Sequence, residues 1–146
     1  MVNGKIPSQK LLKKYSELEL MYSKFVIAYR TGNINLYDQN LQEMQSILFK
    51  SRTYLAVEKA RELVLRTLFK KIHLILGSTR IAITTIQRVI NLTGFNKCET
   101  ELQCILAVQI NKGLIKGYIS ETHNTLVLSK LAPFPLPNNE TSNVSY

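Results

Sequence analysis

Apolar residues recur at intervals of three and four through most of the chain and alternate only near its end, which predicts helices followed by a small β element. Leu11, Tyr15, Leu18, Tyr22, Phe25, Val26 and Tyr29 share one side of a first helix, with Ser8 after Pro7 as its expected cap. Gly32 suits the left-handed conformation that ends such a helix. Asn35, with Asp38 three residues on, is the expected cap of a second helix whose buried stripe is Tyr37, Leu41, Met44 and Leu48. Two antiparallel helices joined by Thr31-Gly-Asn33 make an αα-hairpin, the unit of helical-repeat solenoids. One hairpin cannot bury both of its faces.

A long third helix is predicted from about Tyr54 to Leu76, carrying Leu65, Leu68, Phe69, Ile72, Ile75 and Leu76 inward. Lys59, Arg66, Lys70 and His73 line its opposite side as a basic stripe, whose plain reading is a solvated face. Ile86, Val89 and Ile90 mark a helix from about Ala82 to Thr93, closed by Gly94, and another runs from Glu99 to Asn111, ended by Gly113. Lys116 to Ser120 and Thr125 to Ser129 read as strands around the polar turn Glu121-Thr-His-Asn124, in which Asn124 can take a positive φ. Helices followed by such a hairpin are in winged-helix order. The expected fold is therefore mainly α, a helical-repeat segment (residues 1–60) running into a winged helix with a small β-hairpin (residues 61–132). Pro133, Pro135 and Pro137 interrupt regular structure, so 133–146 is expected to be a disordered tail, polar from Asn138 onward.

Charge adds a class of partner. Nineteen Lys and Arg against ten Asp and Glu give a net charge of +9, which favours polyanions or an acidic protein without choosing between them. Charged residues cut every apolar run short of a membrane span, and the N-terminus lacks the apolar stretch of a signal peptide, so a reducing nuclear or cytoplasmic compartment is expected. In such a compartment the sequons at Asn91, Asn139 and Asn143 stay unmodified.

Catalytic chemistry finds little to build on. Cys98 and Cys104 lack the second Cys pair or His spacing of a zinc site, and Cys104 is expected in the core. Neither His73 nor His123 has a nucleophile or carboxylate motif beside it, and no Gly-rich phosphate loop is present in the sequence, so no enzyme activity and no cofactor are expected.

The helix before the hairpin decides between reading DNA and docking protein. A base-reading helix carries Arg, Lys, Asn or Gln on its exposed face near its N-terminal end, whereas this one begins with Glu99 and Glu101, which oppose phosphates. Its middle is apolar almost all round, which implies burial on more than one side. Lys112, Lys116 and Lys130 at the base of the wing, with Arg80, Arg88 and Lys97 before it, supply a phosphate-binding patch or a merely soluble surface.

These segments resemble the PCI domain. Lys5-Ile-Pro7, Leu11-Leu-Lys-Lys-Tyr15 and Gly32-Asn-Ile-Asn-Leu-Tyr-Asp-Gln-Asn-Leu41 are similar to its repeats, and Leu68-Phe-Lys-Lys71, Cys104-Ile-Leu-Ala107, Gly113-Leu-Ile-Lys-Gly-Tyr-Ile-Ser120, Leu126-Val-Leu-Ser-Lys130 and Pro133-Phe-Pro135 to its C-terminal part. Within that family they resemble the branch holding the PCI subunit of the nuclear transcription-coupled mRNA-export complex and the related signalosome-associated PCI protein. The resemblance implies a non-enzymatic scaffold that pairs with a second PCI-domain protein through its winged helix and binds a small, acidic, largely disordered subunit. It also implies a joint basic surface for RNA or DNA, to which Lys70, Lys71, Lys112, Lys116 and Lys130 correspond here. A stand-alone nucleic-acid-binding winged helix is the alternative.

Overall fold

The computed structural model describes residues 16–135, with side chains described from Tyr22 onward. Ser8, Leu11, Tyr15 and the Leu18 side chain lie outside the described residues, as does everything from Leu136. The order is α1 (Ser16–Thr31), α2 (Ile34–Glu43), α3 (Gln45–Lys50), α4 (Tyr54–Leu76), β1 (Arg80–Ala82), α5 (Ile83–Leu92), α6 (Glu99–Asn111), β2 (Gly117–Ser120) and β3 (Thr125–Leu128). A helical hairpin thus leads into a winged helix.

Phe25, Val26, Ala28 and Tyr29 carry the buried side of α1, and Phe25 meets Tyr37 of α2 with ring centroids 5.0 Å apart. The Tyr37 hydroxyl donates to the Val57 carbonyl of α4, so the aromatic plug also joins α4 to the hairpin. Burial pushes the Tyr37 phenol far up, and Asp38 beside it adds to that. Gly32 turns the chain at φ 73°, where a Cβ would approach the Leu68 nitrogen of α4 to 2.9 Å.

The cap of α2 is Asn33 and not Asn35: Asn33 Oδ1 accepts the Leu36 N–H at 3.1 Å. Asn35 instead donates to the Thr93 carbonyl at 3.1 Å, tying the repeat to the end of α5. The second helix also breaks at Met44, so its stripe divides, with Tyr37 and Leu48 buried and Leu41 and Met44 only partly so.

Helix α4 spans 23 residues and passes through both halves, so the expected boundary at residue 60 falls inside it and one apolar core runs from Phe25 to Phe134. Ile75 and Leu76, expected inward, face outward at 79% and 40% exposure, because packing along α4 stops at Ile72. Arg66, expected on the solvated stripe, is buried.

The sheet is three-stranded and antiparallel in the order β1-β3-β2, with Ile81 opposite Leu126 and Tyr118 opposite Val127. Strand β1 was not foreseen: three residues are too few for an alternating signal. Gly117 allows β2 to lie close to β3, since a Cβ there would strike the Val127 carbonyl oxygen. Residues 133–135 have no regular structure, yet Phe134 is buried, so the disorder expected from residue 133 does not describe these first three positions.

Candidate docking face and basic residues

Helix α6 turns Leu102, Leu106 and Gln109 inward, at spacings of four and three that place them on one line of the helix. Gln109 is fully buried; its Nε2 donates to Glu62 Oε2 at 2.6 Å and to the Glu62 carbonyl at 3.2 Å. Its Oε1 has no hydrogen-bond partner among the described residues.

The polar residues of the helix start are spent inside the domain. Glu101 Oε2 accepts the Cys98 N–H at 2.9 Å, and that bond, helped by Lys97, holds the Glu101 carboxyl below its ordinary value. Asn124 sits at φ 48° in the hairpin turn, donates to the Glu99 carboxylate and accepts from Gln103 Nε2 at 2.9 Å. The Asn124 carbonyl also accepts the Ile83 N–H at 3.0 Å, so the wing turn, α5 and α6 form one unit. A base-reading helix would need these side chains free.

Thr100, Glu101 and Asn111 are exposed at the ends of α6, and between them its open face is small and apolar. Cys104 and Ala107 are exposed and Val108 is 44% exposed, which corrects both the expected burial of Cys104 and the expected burial of the helix on more than one side. The sequence alone gives an apolar circumference, and only the fold shows which part of it has no cover. On one flank, a cleft of about 490 Å³ separates α6 from β2, with Ala107, Ile110, Tyr118 and Ile119 among its walls. On the other, clefts of about 420 Å³ and 190 Å³ lie against α4, reaching Phe95 and Leu65. Cys104 borders all three. Phe95 is buried beneath two cations, with Lys97 Nζ 5.3 Å and the Arg61 guanidinium 6.0 Å from its ring centre. Arg61 is held by Asp38 through bonds of 2.7 and 3.0 Å, which raise its already high pKa.

The five lysines named from the sequence separate into two groups. Lys71 Nζ donates to the Thr31 carbonyl at 2.9 Å, closing the end of α1, and Lys112 Nζ lies 3.7 Å from Glu62 Oε1. Lys70, Lys116 and Lys130 are exposed. Lys116 and Lys130 flank the wing base, where the Lys116 carbonyl accepts the Ser129 N–H at 2.9 Å. Of the further cations, Lys97 is 3.8 Å from Glu101, while Arg80 and Arg88 are exposed. Among the described residues no group of three or more His, Cys, Asp or Glu is placed to hold a metal, and no helix is long and apolar enough to cross a membrane.

A helical hairpin merging through one long helix into a winged helix with an apolar outer face defines a class of α-helical assembly modules. The PCI domain model matches residues 40–130, and the chain belongs to that family. The chain is 35% identical over 136 residues to a protein CSN12 homolog of Schizosaccharomyces pombe, covering 92% of this chain and 32% of that relative. It is 38% identical to a PCI domain-containing protein 2 homolog of Drosophila melanogaster, covering 92% of this chain and 34% of that one. Similarity to PCI domain-containing protein 2 of Danio rerio is 33% with the same coverage, so the chain spans about a third of the length of these curated relatives.

Proposed function

We propose that this chain is the docking end of a non-enzymatic scaffold subunit that joins a second PCI-domain protein through its winged helix. The observation that carries the reading is the division of α6, whose first-turn polar groups are committed to the wing and to its own cap while Cys104, Ala107 and Val108 face outward. An exposed apolar helix face beside an apolar cleft suits a protein partner and offers nucleotide bases few hydrogen bonds. Strand β2 is an edge of the sheet, so the same partner can also meet unpaired backbone groups there. A small acidic, largely disordered subunit is the second partner implied by the PCI resemblance, and the +9 charge suits its acidity. The complex is of the nuclear mRNA-export or signalosome-linked kind, a reading supported by similarity to proteins named CSN12 homolog and PCI domain-containing protein 2, and the nucleus is the favoured site.

RNA or DNA is held without sequence preference, chiefly by Lys70, Lys116 and Lys130, because Lys71 and Lys112 already have partners within the chain. The test is co-purification of the chain, extended by the upstream repeats of its relatives, with a second PCI protein. Capture lost on Ala107→Glu supports the docking face; capture by neither form rejects it. The alternative, a stand-alone nucleic-acid-binding winged helix, predicts clear preference for one sequence in binding by the isolated chain.

A further inference from the structure

The segment that follows the wing folds back on the domain in a way the lysine assignment does not use. Arg66 of α4 is 4% exposed, and its guanidinium donates through Nε to the Pro135 carbonyl at 2.9 Å and through Nη2 to the Phe134 carbonyl. No acidic residue is bonded to it among the described residues; backbone carbonyls are its hydrogen-bond acceptors. Burial lowers the Arg66 pKa, and Tyr29 of α1 acts in the opposite direction. The Phe134 ring is buried and lies 5.7 Å from that of His73, two turns along the same side of α4. The other end of the segment is pinned to the wing: the Lys116 N–H donates to the Pro133 carbonyl at 2.8 Å, and Ser129 Oγ donates to the Leu131 carbonyl at 3.1 Å. Ala132, at φ 43°, makes the reversal between them.

We propose that Leu131–Pro135 is a strap that locks the base of the wing onto α4, with Arg66 as its positioning residue, and that the lock sets Lys70, Lys116 and Lys130 on one phosphate-binding face. Lys70 lies between Arg66 and His73 on the helix side that carries the strap. Lys116 is bonded to the strap directly, and Lys130 precedes it in the chain. A planar guanidinium is needed because two adjacent carbonyls must be met at once, which a single ammonium does poorly. The inference rests on the reading of these three lysines as phosphate ligands and adds a device that aligns them.

The experiment compares the full chain with Phe134→Ala and Arg66→Lys, both of which leave the net charge unchanged. Two quantities are read: amide hydrogen exchange, and binding of a labelled single-stranded oligouridine over a salt series. Release of the strap should speed exchange at the Lys116 amide at least about tenfold while Tyr118, paired with Val127 within the hairpin, keeps its protection. Affinity for oligouridine should fall at least about fivefold, and the salt slope should shrink by roughly 1.4, the value for two lost phosphate contacts. Unchanged exchange at Lys116 in both variants overturns the lock. Faster exchange with unchanged affinity and slope overturns its role in aligning the lysines. If the unaltered chain fails to bind oligouridine, the phosphate reading itself is wrong, and the exchange result still decides whether the strap is a lock.

Discussion

The two halves of the molecule differ in what fills their interiors and in where their polar side chains turn. In the hairpin half the interior is aromatic, with Phe25 and Tyr37 completely buried, and outward positions such as Lys24 and Glu43 form a surface ion pair at 3.0 Å. In the winged half the interior is mainly aliphatic, built from Ile83, Ile86, Ile90, Leu102, Leu106 and Leu126 with Phe95 and Phe134 beside them, and Glu99 and Gln103 of α6 turn toward the wing while Cys104, Ala107 and Val108 face out. Both halves leave apolar side chains open, Ile27, Phe49 and Leu55 in the hairpin half and Val108 and Tyr118 in the winged half, but in the winged half these line the clefts beside α6.

The largest blow to that contrast should come from the aromatic plug. Phe25→Ala is expected to cost about 3–5 kcal/mol of stability, read from urea unfolding, because a rigid interior beside Tyr37 cannot collapse into the space left. Gly32→Ala should cost more than about 1 kcal/mol, since the φ of 73° disfavours a Cβ and the Leu68 backbone stands where it would go. In the winged half, Asn124→Ala removes the bonds to Glu99 and Gln103 and leaves an alanine at φ 48°, with an expected loss of about 1–3 kcal/mol by the same measurement. Val108→Glu, on the open face, should shift stability by no more than about 0.5 kcal/mol while abolishing partner capture.

The smallest effect concerns pH. Glu101 binds the Cys98 N–H in its ionised form, so its folded pKa is depressed and its contribution is present above the unfolded value. That contribution disappears as pH falls through the lower, folded value. Thermal melts across the acid range should therefore show Glu101→Gln losing less stability on acidification than the unaltered chain.

Element positions were legible where periodicity and glycine stops coincide. Helix α4 was expected from about Tyr54 to Leu76, and Gly32, Gly94 and Gly113 all take positive φ at helix ends. The same reasoning failed where the answer lies far away in sequence. Arg66 has the spacing of a solvated residue, but its cover arrives from Phe134 and Pro135 at the opposite end of the winged helix. Cys104 has the composition of a core residue, and only the placement of α4 and the wing shows that both leave its side open. Among the lysines, charge was visible but occupancy was not: Lys112 faces Glu62 from fifty positions further along the chain.

Helix α4 has a consequence for assembly. At about 1.5 Å of rise per residue its 23 residues make a strut of roughly 34 Å that begins beside the stacked Phe49 and Tyr54 rings and ends at the strand edge of the wing. Two ligands, if seated at its ends, would be kept at a fixed separation, so the arrival of one would present the other at a set local concentration without any change of shape.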